Sequence, residues 1–189
     1  MKIVLASQSP RRRQLMELIG IEHIAVVSDV EETAPPDYTP DALVMELALQ
    51  KARAVHQDYP DDCVIGADTV VFIDDEIIGK PADEAAARAT LTRLQGREHI
   101  VYTGVAVLSP RGEDVRFEAT RVRFSSMSDA EIAWYISTGE PMDKAGAYGI
   151  QGPGGMFVSA VNGNYFNVIG MPLPLLYRML CDAGAMQLS

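Results

Sequence analysis

Apolar residues along this chain recur first in short continuous runs and then at helical spacing, so strands and helices are expected to alternate from the start. Lys2 to Ala6 is a short apolar run rich in β-branched residues, and Ser7, Ser9 and Pro10 after it can cap and open a helix. That helix is expected from about Pro10 to Ile19, with Leu15, Leu18 and Ile19 on one face and a stop at Gly20. Ile24 to Val27 reads as a second strand. The next stretch, Asp29 to Tyr38, holds four acidic residues and two prolines and fits an exposed loop. Thr39 and Pro40 open a long helix whose apolar positions Leu43, Val44, Leu47, Ala48 and Ala54 keep helical spacing to about His56. Val64 to Ile73 is almost unbroken apolar sequence, the signature of a strand buried on both faces, and Asp74 and Asp75 turn it toward Ile77 and Ile78.

Asp83 is an N-cap for a helix to about Leu94, which Gly96 ends. His99 to Leu108 and Val115 to Ser125 alternate as two long strands joined through Pro110, Arg111 and Gly112, which makes a hairpin. Ser128 with Glu131 is a capping-box signature for a helix to about Ser137. Glycine-rich sequence follows to Gly155. Two short strands, around Phe157 to Val161 and Tyr165 to Ile169, and a helix from about Pro172 to Cys181 complete the expected order. Early alternation followed by a hairpin predicts an α/β fold with a mixed central β-sheet flanked by helices. No internal repeat or linker divides residues 1–189, so a single domain is expected.

Composition narrows the function. A formal net charge of −10 repels polyanions and argues against a nucleic-acid polymer as partner, while local Lys and Arg clusters can still hold a small anion. Cys63 and Cys181 have no metal-ligand spacing and read as reduced thiols. The apolar start is too short for a secretory signal, and no stretch is long enough for a membrane helix, so a cytoplasmic address without membrane association is expected.

Asp68 is the most informative residue, because an ionised carboxylate inside an apolar run is expensive unless something meets it. The stretch alone fits two roles: a general base or metal ligand at the end of a buried strand, or a turn aspartate bonded to its own backbone. Arg11, Arg12 and Arg13 stand at the opening of the first helix, where free N–H groups and the helix dipole favour an anion, although a solvated basic face reads the same way. Lys51 and Lys80 are candidates to neutralise a triphosphate. Glu31 and Glu32 could hold Mg2+ with Asp68, since hard cations take oxygen ligands, and an acidic surface loop is the plainer reading of the pair. The three glycines of DKAGAYGIQG, residues 143–152, suggest a close-packed loop that lets backbone approach a ligand. The Gln151 amide in that loop matches the O4 and N3–H edge of uracil or thymine, and by flipping it could also suit cytosine.

In order along the chain, SQSPRRR, the Glu31–Glu32 pair, GADTVV, GKP and DKAGAYGIQG together resemble the Maf family over nearly the whole sequence. That resemblance implies a nucleotide pyrophosphatase, two-lobed with a cleft and similar in fold to the inosine triphosphate pyrophosphatase group. It further implies the branch acting on dTTP and UTP rather than on 7-methyl-GTP. By the same resemblance Asp68 is the proton acceptor, Arg11, Thr69 and Gln151 set base specificity, and Ser7, Glu32, Lys51 and Lys80 match further functional positions. The expected reaction is attack of water on the α-phosphorus with a divalent cation, Mg2+ or Mn2+, present, and with Ser7, Arg12, Arg13, Lys51 and Lys80 on the phosphates. A homodimer also fits the family. Two other functions remain open: a regulatory nucleotide-binding protein acting on cell division with little turnover, and the same chemistry on modified nucleotides.

Overall fold

The computed structural model describes residues 1–30, 33–35 and 37–186. In chain order the elements are β1 (Ile3–Ala6), α1 (Pro10–Leu18), β2 (Ile24–Val26), α2 (Pro40–His56), β3 (Cys63–Ile73), β4 (Glu76–Ile78), α3 (Glu84–Leu94), β5 (Glu98–Ser109), β6 (Gly112–Phe124), α4 (Asp129–Ser137), β7 (Val158–Asn162), α5 (Tyr165–Ile169) and α6 (Leu173–Asp182). Three short 3₁₀ turns lie between α4 and β7. The sheet runs β2-β1-β3-β5-β6-β7, with β4 paired to β3 outside this path. It is mixed, because β1 is parallel to both β2 and β3, whereas β3 with β4 and β6 with β7 are antiparallel.

The chain forms two compact units. The first takes Met1–Asp68, Thr103–Glu118 and Gly170–Ser189. In it α2 lies on the sheet through Ala48, Ala52 and Val55, which pack with Val4, Ala6 and Val64. Two glycines set this approach. A Cβ on Gly66 of β3 would stand 2.9 Å from the amide nitrogen of Ala52, and one on Gly104 of β5 would stand 2.7 Å from that of Met45, with backbone carbonyls nearer still. Only residues without a side chain let a helix backbone come this close to two strands. The second unit takes Thr69–Tyr102 and Ala119–Ile169. Its core joins Val71, Leu91, Leu94, Phe124, Ile132 and Tyr135.

Several local signals act as the sequence indicates. Asp83 accepts the Ala86 N–H at 2.7 Å, and Ser128 and Glu131 make a reciprocal capping box. Asp74 and Asp75, with φ of 53° and 58°, form the left-handed turn between β3 and β4.

Three expectations are corrected. Tyr165–Ile169 is helix α5, not a strand. The Asn164 side chain accepts the Phe166 N–H at 2.9 Å and caps it, and buried Asn167 then donates to Val101 O and Thr120 Oγ1, each at 3.0 Å. In α1 the buried residues are Leu15 and Met16, while Leu18 is 69% exposed and Ile19 38%. Gly20 (φ 70°) ends this helix with Gly20 N–H to Glu17 O and Ile21 N–H to Met16 O, so Ile21 rather than Leu18 turns inward. In α2 the inward positions include Ala52 and Val55 instead of Ala54.

Candidate functional site

In the first unit, β1 stops at Ala6, paired with Gly66, while β3 continues for seven more residues to Ile73. Asp68 lies two residues past that last pair, just beyond the carboxyl end of the parallel pairing, where α/β sheets place their sites. It is therefore neither a turn residue nor at the end of its strand: the strand runs on, and only the neighbouring strand ends. Alternation along β3 puts Asp68 on the same face as Gly66, toward α2. Lys51, one helical turn after Ala48, donates from Nζ to Asp68 Oδ1 at 2.6 Å, with both side chains 14% exposed. This is the compensation that a carboxylate in an apolar strand requires.

The chain leaving β1 is organised by Ser7, which is buried. Its Oγ accepts the Ser9 N–H at 3.1 Å and Arg12 Nη1 at 3.4 Å, and Ser9 in turn caps α1 by accepting the Arg12 N–H. Arg12 Nε donates to Gly170 O at 2.8 Å. Ser7 and Arg12 thus hold each other, and Arg12 ties the helix opening to the segment before α6. Arg11 is half-buried and Arg13 exposed on the same turn. Glu31 and Glu32 lie outside the described residues. Among the described residues, no group of three or more His, Cys, Asp or Glu side chains could hold a metal ion.

Thr69, Lys80 and Gln151 belong to the second unit. Thr69 follows Asp68 in β3 and is half-buried, while Lys80 and Gln151 are exposed. Lys80 sits just after β4, where the preceding Gly79 O accepts the Gly146 N–H at 3.0 Å and fastens the GKP step to the glycine-rich loop. The glycines of that loop answer to the chain's own side chains. A Cβ on Gly149 would lie 2.7 Å from Lys144 Cε, and on Gly152 it would run into the Glu140 carboxylate. The close packing expected of this loop is thus packing on Lys144 and Glu140. Tyr148 is buried beside His99, with Tyr148 Oη 2.8 Å from His99 Nε2. Burial lowers the His99 pKa to about 4 and raises that of Tyr148.

The chain matches the Maf-like protein family over residues 2–183. It belongs to the Maf family. Two curated relatives, both named dTTP/UTP pyrophosphatase, bracket this Maf chain closely. The one from Symbiobacterium thermophilum is 49% identical over 183 residues, 97% of this chain and 94% of its own. The one from a Geobacillus species is 50% identical over 183 residues, 97% and 98% of the two chains. Among solved structures, the Ham1 protein of Staphylococcus aureus superposes with a TM-score of 0.58 at 16% identity, covering 96% of this chain and 99% of that one, which shows a shared fold. Among the described residues no helix is long and apolar enough to cross a membrane.

Two features of this Maf chain escape motif reading. Gly66 stands inside GADTVV, and a lone glycine in an apolar strand signals close backbone approach, here that of the helix carrying Lys51. Glu140 and Tyr135 lie under the glycine-rich loop, and no local pattern marks them.

Proposed function

We propose that this protein hydrolyses dTTP and UTP between the α- and β-phosphates, releasing the nucleoside monophosphate and pyrophosphate. The observation that carries the proposal is the Lys51–Asp68 pair just past the end of the parallel pairing, in a Maf chain whose close relatives bear the dTTP/UTP pyrophosphatase name. A carboxylate held by one oxygen keeps the other to accept a proton from water. As water's oxygen bonds to the α-phosphorus, that proton passes to Asp68, the bond from the α-phosphorus to the bridging oxygen breaks, and pyrophosphate leaves with the bonding electrons.

Lys51 orients the Asp68 carboxylate and adds positive charge beside it. Arg12, fixed through Ser7 and Gly170, presents the opening of α1 to the phosphates. Arg11, Arg13 and Lys80 add cationic charge, which is most of what phosphoryl transfer needs from a protein. Thr69, Arg11 and Gln151 read the base. Asp68, with Glu31 and Glu32, would supply the carboxylates for Mg2+ or Mn2+. Such an ion would need only one or two protein carboxylates, which Asp68 as a firmly placed carboxylate fits. When bound, such an ion neutralises phosphate charge.

The test is pyrophosphate release from dTTP, UTP, CTP and 7-methyl-GTP, with Mg2+ and with chelator, by wild type and Asp68→Asn. Release is expected fastest from dTTP and UTP, is lost on chelation, and falls by at least a hundredfold in Asp68→Asn while nucleotide binding persists. Inorganic phosphate as the first product, or full turnover by Asp68→Asn, would overturn the assignment.

A further inference from the structure

The loop that carries Gln151 is wrapped around a post made of two side chains. Tyr135, buried on α4, donates its hydroxyl to Glu140 Oε2 at 2.6 Å. The same hydroxyl accepts the Gly149 N–H at 3.0 Å, and the same carboxylate oxygen accepts the Gly154 N–H at 2.9 Å. The chain is therefore gripped two residues before Gln151 and three residues after it, by one hydrogen-bonded pair. Gly149, Gly152 and Gly154 have no space for a Cβ, against Lys144, the Glu140 carboxylate and the Tyr135 hydroxyl respectively. Lys144 closes the base of the loop by donating from Nζ to Glu140 O at 2.9 Å and to Asp143 Oδ1 at 2.6 Å. Between the two grips Gln151 itself is exposed.

We propose that Tyr135 and Glu140 are positioning residues for base selection: they fix the backbone on both sides of Gln151 and so set where its side chain stands against the base. This rests on Gln151 being the base-reading residue. A side-chain amide discriminates only where both its donor and its acceptor reach the base edge, and the backbone that carries it sets that reach. That placement comes from backbone amides bonded to a buried pair, since Gln151 is otherwise on an exposed loop. Loosening the post lets Gln151 drift from the base edge, which weakens binding of uracil and thymine and narrows their advantage over cytosine.

Kinetics on dTTP, UTP and CTP with Tyr135→Phe, Glu140→Ala, Glu140→Gln and Gln151→Ala test this, each assayed well below its own melting temperature. Tyr135→Phe removes the acceptor for Gly149 and the donor to Glu140. It is expected to raise KM for dTTP about tenfold, leave kcat within about twofold, and shrink the dTTP-to-CTP ratio of kcat/KM about tenfold. Glu140→Ala should do the same, and Glu140→Gln, whose carbonyl oxygen can accept both bonds, should restore the ratio. A simple scaffolding role would lower the melting temperature and leave the ratio unmoved, and that result overturns the proposal. If Gln151→Ala abolishes the preference while Tyr135→Phe and Glu140→Ala retain it, the positioning role alone falls. If Gln151→Ala retains it, base reading by Gln151 falls and the positioning role falls with it.

Discussion

Replacing Gly66 by alanine tests how this fold builds its reactive pair. The new Cβ would sit inside contact distance of the Ala48 carbonyl oxygen, 2.9 Å from Ala52 N and 3.0 Å from Ala52 Cβ, where real Cβ atoms stay beyond 3.0 Å. The obstacles are mainly helix backbone, which cannot rotate aside, so β3 and α2 must separate locally. Overpacking of this kind costs roughly 1–3 kcal/mol, and a backbone clash belongs at the upper end. Separation also lengthens the 2.6 Å Lys51–Asp68 bond, because Lys51 rides on the displaced helix and Asp68 on the strand. Stretching that pair by ~1 Å at an effective dielectric of ~20 weakens its attraction by roughly 2 kcal/mol, of which water entering at the 14%-exposed side chains returns part. The total expected loss is about 3–4 kcal/mol of folding stability. A misplacement near 1 Å at a catalytic group removes about a hundredfold in rate. Urea denaturation and pyrophosphate release measure the two effects separately. Gly79→Ala is the control, since a Cβ there meets no atom within 4 Å, and it should change stability by less than about 0.5 kcal/mol. If Gly66→Ala matches that control in both stability and rate, the glycine does not set the helix–strand distance and the account of the pair is wrong.

Two further predictions concern the second unit. His99 is 2% exposed and burial lowers its pKa from 6.5 to about 4, so between those values the unfolded chain holds the extra proton. Its contribution is therefore complete above pH 6.5 and is lost as the pH falls toward 4, on the order of 3 kcal/mol in all. Urea midpoints at pH 7, 6 and 5 should fall more steeply for wild type than for His99→Gln, and parallel slopes would show that His99 does not protonate on unfolding. Asp75 occupies a left-handed conformation in the turn between β3 and β4, so Asp75→Gly, giving an Asp–Gly turn, should raise stability by about 0.5–1 kcal/mol, readable as a higher urea midpoint. An unchanged or lower midpoint would mean that the Asp75 side chain contributes more than its backbone strain takes away.

What the sequence determined by itself is everything that short-range chemistry decides. Ser128 with Glu131, Asp83 before its helix, Gly20 after α1 and the paired aspartates at 74 and 75 each act through groups a few bonds away, so the elements they bound are legible. The apolar run around Asp68 likewise announced a carboxylate in need of a partner. The partner was not legible. Lys51 is one of many helix residues, and only the packing of α2 on Gly66 and Gly104 selects it.

Where local and tertiary demands differ, the tertiary ones decide. Tyr165–Ile169 has β-forming residues, but Asn164 caps it and Asn167 must satisfy Val101 and Thr120, so it coils into a helix. Leu18 is as apolar as Leu15, yet the Gly20 turn buries Ile21 in its place. The glycines around Gln151 read as a close-packed loop, but that Tyr135 and Glu140 are among the side chains they pack on is a contact no spacing encodes. The physical reason is common to all three. A cap or turn is decided by neighbours in the chain, whereas the face a residue buries and the atom it meets are decided by segments that folding alone brings together.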